Sequence, residues 1–327
     1  MGTGENRQES RGKRILRRVD AFQQRHGALA VPVAVWRKYS EDHSGNLAMM
    51  IAFAAVFAVF PLLLVLVTLL GYLVPASLRG AVLTRVAQMF PLLSVNSMHG
   101  LSGQWWPLVL GLVTSLWSGL AVVRLTQFAF DSVWEIPYHR RPKMLRQVSR
   151  SVWVLATIGL GLVVSILITG YAAGAATGIG AGWAVRAVGF AIAIILDIGL
   201  FVAAFRILTE RDVTMRDVLP GALLSGVAFW VLQSLSSLII SHYLGKSQAT
   251  YGQFATVITV LWWFYLQSLI MLYGAQLNVV LRERLHPRSL TGEPATEADR
   301  RALTAYARER TYHPDERVET DFSARRR

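Results

Sequence analysis

Hydrophobic positions run along this chain in long blocks with no charge between them, at 47–78, 86–123, 151–185, 218–245 and 247–281. Each exceeds the roughly 20 residues an α-helix needs to cross the hydrocarbon core of a bilayer. Reading the blocks against their Gly, Pro and charged interruptions predicts six transmembrane helices, at 47–74, 104–128, 151–172, 185–208, 219–243 and 254–281. The expected class is an all-α, polytopic membrane protein in three parts: a basic segment 1–46, a six-helix domain 47–282 and a charged tail 283–327. Ahead of the first span, Ile15, Val19, Phe22, Leu29, Val33 and Trp36 recur at helical spacing among arginines. That is the pattern of an amphipathic helix lying in the membrane interface, and Pro32 should break or kink it. The tail carries Pro287, Gly292, Pro294, Pro314 and dense mixed charge, so it is expected to be disordered apart from one short helix over 296–310.

Composition agrees. Hydrophobic residues make up 53% and charged residues 16%, with a mean hydropathy of +0.40, which excludes an ordinary soluble domain. There is no Cys, so disulfides, thiolate metal sites and thiol nucleophiles are excluded by inventory. The net charge of +13 is concentrated outside the spans: of 33 Lys and Arg, nine precede Leu47 and ten follow Arg282. Between spans the loops alternate, with five basic residues at 129–150 and two at 209–218 against none at 173–184. Such alternation orients both termini toward the cytoplasm, as in a multi-pass protein of a bacterial inner membrane. The first apolar stretch is too long and too far from the start for a secretory signal, so the first span is expected to direct insertion.

Several positions depart from plain apolar sequence. Pro61 falls at the midpoint of the first span and should kink it. Asp197 lies at the midpoint of the fourth span, where an isolated carboxylate costs about 2.5–3.5 kcal/mol to insert. Arg124, Gln233 and Gln267, in spans two, five and six, could share a polar interior with it. Such a set suits a proton-coupled or headgroup-contacting pathway, and it equally suits ordinary interhelical hydrogen bonds. Gly170, Gly174, Gly178 and Gly182 recur every fourth residue, fitting either close helix packing or an external loop. No P-loop, dinucleotide glycine fingerprint, HExxH or G-x-S-x-G motif occurs, and the seven His are scattered. The chain is therefore expected to be no enzyme, to carry no cofactor or metal, and to bind no nucleic acid.

Four stretches resemble one family. Tyr251-Gly252, then Trp262-Trp263, then Gly274-Ala275-Gln276-Leu277-Asn278 look like the C-terminal signature of the YihY/BrkB family of bacterial inner-membrane proteins. Asp42, Asn46-Leu47-Ala48 and Phe60-Pro61-Leu62 match its front, and Trp117 leading to Asp131, Trp134 and Pro137 matches its middle. Leu219-Pro220-Gly221-Ala222 opens the fifth span as the family does. The resemblance covers about 36–285 and implies six helices with both termini inside. It also implies transport or flipping of a lipid or lipid-linked envelope component, as in the YhjD-like branch, with membrane lipids as partners. A non-transporting envelope-integrity scaffold is the alternative, and an older ribonuclease label a remote one. Where the family usually has Glu in Gly-Ala-Glu-Leu-Asn, this chain has Gln276.

Overall fold

A computed structural model describes residues 18, 20–25, 27–73, 105–141, 146–154, 156–157, 183–235, 254–290 and 295–322. Tyr251, Gly252, the glycine repeat at 170–182 and most of the third predicted span lie outside the described residues. Among the described residues every regular element is helical: α1 (Gly27–Glu41), α2 (Ser44–Leu73), α3 (Trp105–Val133), α4 (Trp183–Leu208), α5 (Met215–Ser234), α6 (Phe254–Arg282) and α7 (Glu297–Glu309), with a 3₁₀ turn at Tyr138–Arg140. Four stretches are long and apolar enough to cross a membrane: Ser44–Val65, Trp105–Val133, Met215–Ser234 and Val257–Arg282.

α6 is the centre of the assembly. It packs on α1, α2, α3 and α5, while α2 pairs with α3 and α4 with α5. The buried apolar core gathers where one end of each long described helix converges. Leu47, Ala48 and Ile51 open α2, Phe130 and Val133 close α3, Phe205 and Leu208 close α4, and Val218, Ala222, Leu272 and Val279 come from α5 and α6. Further along the spans, large apolar side chains such as Phe57, Leu112, Trp117 and Ile195 are exposed. The difference is physical: lipid tails solvate Leu and Phe as well as a protein interior does, so only the end facing water must hide its apolar surface.

Three helices end at this junction on a residue in the left-handed region, and none of the three is Gly: His43 (φ 50°), Glu135 (φ 52°) and Arg284 (φ 51°). After α3, the Ile136 N–H donates to the Asp131 carbonyl and the Glu135 N–H to that of Ser132, the paired pattern of a Schellman stop. After α6, the Leu285 N–H donates to Val280 O in the same way. A non-Gly residue in this conformation costs about 1–2 kcal/mol, so the surrounding contacts dictate these turns.

One expectation is narrowed and another fails. Pro32 does not break α1, which runs through it from Gly27 to Glu41. Pro32 itself is exposed. The charged segment beyond 283 was expected to be unable to pack. Instead, its described residues bury Arg288, Ser289, Ala298, Asp299 and Ala302. Thr296 caps α7, accepting from the Asp299 N–H while the Asp299 carboxylate accepts from the Thr296 N–H, so the predicted helix forms. The segment's charges find fixed partners, which composition alone does not reveal.

Candidate site: a buried charged junction

At the junction the Lys38 side chain is completely buried. Its ammonium donates to Asp42 Oδ2 at 3.0 Å, four residues on and just past the end of α1, and to Glu135 Oε1 at 2.5 Å, beyond the end of α3. The left-handed turn at Glu135 is what brings that carboxylate back under α1. Gln276, also completely buried, reaches in from α6 and donates from Nε2 to Asp42 Oδ2 at 2.7 Å and to Ser44 Oγ at 2.8 Å. The Tyr39 and Tyr273 rings stack beside it with centroids 4.3 Å apart. The Tyr306 ring of α7 covers Lys38 from the other side, 5.2 Å from its ammonium. One cluster thus joins α1, α2, α3, α6 and α7.

The electrostatics hold a proton on Lys38. Burial alone would lower its pKa, yet the charges of Glu135 and Asp42 outweigh it and push the group up. Burial also pushes the Tyr306 hydroxyl up, with Asp42, Glu135 and Glu41 adding to it. Two carboxylates share one ammonium, and the Gln276 amide supplies the remaining donor to Asp42. A carboxylate at 276 could offer that hydrogen bond only when protonated, so Gln suits this pair where Glu would repel it. Because its donors are fixed on Asp42 and Ser44, Gln276 Oε1 is left buried without a partner among the described residues.

A second network clamps the tail over this cluster. Arg288 bonds to Asp299 at 2.9 Å and to Glu41 at 2.9 Å, and Arg37 reaches Asp299 at 3.1 Å. Asp20 accepts from the Ser289 hydroxyl at 3.0 Å and the Leu290 N–H at 2.9 Å. For Asp299 burial works against ionisation, but the Thr296 and Ser289 N–H groups and Arg288 pull the carboxyl down to about 2. Asp20 is likewise held at about 2, burial being outweighed by Leu290, Gln23, Gln24 and Ser289.

A third contact lies deeper. Cβ atoms built on Gly221 and Gly274 would overlap atoms of the opposing helix, so α5 and α6 cross with their backbones in contact. There the Gly221 N–H, directly after Pro220, donates to Asn278 Oδ1 at 2.7 Å. Two of the matched motifs, Pro-Gly in α5 and Gly-Ala-Gln-Leu-Asn in α6, are the two sides of this crossing.

Of the residues singled out in the sequence, Asp42, Gln276, Gly274 and Asn278 meet in these contacts. Asp131 is buried at the end of α3, within electrostatic reach of Arg141 and Arg150. Trp117 is exposed on α3 and Trp262 partly exposed on α6. α2 continues through Pro61. No hydrogen bond or ion pair among the described residues joins Asp197 to Arg124, Gln233 or Gln267, and Gln233 is exposed. No three His, Asp or Glu among the described residues form a metal-holding group. Lys38, Glu135, Arg288, Asp299 and Tyr306 escaped the sequence reading. One signal was available: Lys38 is one of only four Lys against 29 Arg and stands four residues before Asp42.

Comparison with known proteins places these residues in a family. The family described as Virulence factor BrkB matches residues 35–299. The chain is 24% identical over 268 residues to YfkH of Bacillus subtilis, a protein described as ribonuclease-like, covering 76% of this chain and 94% of that one. It is 30% identical over 176 residues to a UPF0761 membrane protein of Methylibium petroleiphilum, covering 50% of this chain and 39% of the relative. A UPF0761 membrane protein of Pseudomonas paraeruginosa is 24% identical over 269 residues, 73% of this chain and 60% of its own. This chain thus spans between about two-fifths and three-fifths of those two relatives. No solved structure matches. With apolar helices and a match that runs from α1 into α7, the chain belongs to the BrkB family of membrane proteins.

Proposed function

We propose that this protein crosses the bacterial inner membrane six times, with both termini and the charged junction on the cytoplasmic side, and moves a lipid or lipid-linked envelope component between leaflets. The observation that carries this reading is a groove of about 460 Å³ between α2 and α3, lined by Asn46, Met49, Met50, Phe53, Ala54 and Leu125. Its α2 residues recur at i, i+3, i+4, i+7 and i+8, one face of the helix. The lining is apolar except at Asn46, the end nearest the charged junction. An acyl chain fits such a groove, with flexible Met side chains adapting to it and the headgroup at the polar end. Phe22, ahead of α1, and Leu29 and Trp36 on it, exposed and seven residues apart, would rest in the membrane interface beside that end. The reading assigns the chain no catalytic step. A nuclease has less support, because Glu41, Asp42 and Glu135 are each bound to Lys or Arg.

The test is translocation of headgroup-labelled phospholipid in proteoliposomes, with and without a pH gradient. Wild type should translocate, and Ala54→Phe, which fills the groove, should slow it about tenfold, equivalent to about 1.4 kcal/mol in the barrier. Asp197→Asn would show whether the midspan carboxylate contributes. Failure of the wild type to move any labelled lipid would sink the transport reading, and reporter fusions at the two termini check the topology separately.

A further inference from the structure

Between α7, the turn after α3 and the segment joining α4 to α5 lies a cavity of about 1030 Å³. Most of the acids on its wall are already committed. Glu135 pairs with Lys38, Glu210 with Arg150, Glu283 with Arg211, and Glu297 with Arg301. Three wall arginines, Arg140, Arg300 and Arg308, carry no ion pair among the described residues, against the single carboxylate of Asp212. Arg300, Thr304 and Arg308 fall at i, i+4 and i+8 on one face of α7, spanning about 12 Å of helix. Arg140 enters from the 3₁₀ turn at Tyr138–Arg140.

Charges needed only to orient a chain in the bilayer can point anywhere into water. These three line one concave wall on which every other charge except Asp212 sits in an ion pair, so their guanidinium groups are the ones left to take an anion. Guanidinium groups bond phosphate oxygens two at a time, which makes arginine the side chain best suited to a phosphate dianion.

We infer that this cavity binds a phosphate-bearing anion, held by Arg140, Arg300 and Arg308. The volume leaves room for the group attached to the phosphate. The inference stands apart from the transport reading, since a lipid headgroup and a soluble phosphate ester present the same chemistry.

Calorimetric titration of the full-length protein in a zwitterionic detergent tests it, using dihexanoyl phosphatidic acid and glycerol 3-phosphate as probes. Saturable binding of phosphatidic acid alone identifies a lipid source; binding of both identifies the phosphate group itself. In either case the double variant Arg300→Gln/Arg308→Gln should bind at least about tenfold more weakly, and Arg140→Gln should weaken binding as well. Arg310→Gln, on an arginine that does not line the cavity, should leave affinity unchanged. All three arginines are exposed and without ion pairs, so the variants should keep the wild-type melting temperature, which the same samples report. No saturable binding of either probe, or equal affinity in wild type and the folded double variant, overturns the inference.

Discussion

The charged junction and the α5–α6 crossing hold helices together by opposite means. At the junction, side chains from α1, the turn after α3, α6 and the tail gather around Lys38, which makes two ion pairs while Gln276 bonds one of the paired carboxylates and the Tyr306 ring covers the ammonium. At the crossing few side chains intervene: two glycines let backbones touch, and two hydrogen bonds fix the register, the Gly221 N–H donating to Asn278 Oδ1 and the Ser225 hydroxyl to the Ile270 carbonyl. The first arrangement is dear to build, because each buried charge must be desolvated. The second is suited to lipid, where packing and not hydrophobic exclusion joins helices. A family motif, Gly-Ala-Gln-Leu-Asn, spans both, with Gln276 facing the junction and Asn278 the crossing.

The comparison can be broken from either side. Lys38→Met should have the largest effect, because it leaves Asp42 and Glu135 buried with no cation; a loss of about 3–5 kcal/mol is expected, measured as a fall in melting temperature in detergent. Restoring much of it with the triple variant that also neutralises Asp42 and Glu135 would show that the cost lies in the orphaned charges. Gly221→Ala comes next. The added methyl meets the Gly274 backbone, which cannot yield as a side chain does, so a net loss of about 2–3 kcal/mol is expected despite the better helix propensity of Ala. An unchanged melting temperature would mean that the two helices do not cross in contact.

Acid should loosen the tail clamp by about 2 kcal/mol through Asp299 alone. Its carboxyl is held at about 2 against an ordinary 3.8, so the stabilisation is present above pH 3.8 and is lost as pH falls toward 2. Melting curves taken between pH 4 and pH 2 should fall more steeply for wild type than for Asp299→Asn; parallel curves would refute the assignment. The smallest effect is expected from Asn278→Ala. Interhelical hydrogen bonds in membranes average about 0.6 kcal/mol, and the stranded Gly221 N–H brings the loss to about 1 kcal/mol. The same variant should leave the acid response of the clamp unchanged, since the two regions share no side chain.

The helical architecture was legible because a span announces itself by length and apolarity, a local property. α2 and α6 begin and end within a few residues of the expected 47–74 and 254–281, and α7 within one residue of 296–310. Family motifs pointed to Asp42, Gln276 and Asn278 but not to what they touch. The tail was misread because composition counts charges without pairing them: Arg288 lies 247 residues from the Glu41 it binds.

By itself, then, the sequence determined which segments are apolar enough to enter a bilayer, where the basic residues lie, and which small residues punctuate the helices. These follow from solvation and helix geometry, which each segment obeys alone. Only the tertiary structure decided which charges are buried together. The buried Lys38 is matched by Asp42 one turn on, by Glu135 arriving through the left-handed turn after α3, and by the Gln276 amide that reaches Asp42 from α6. The midspan polar residues met no such partners among the described residues; the polar cluster formed instead at the end where the helices stop.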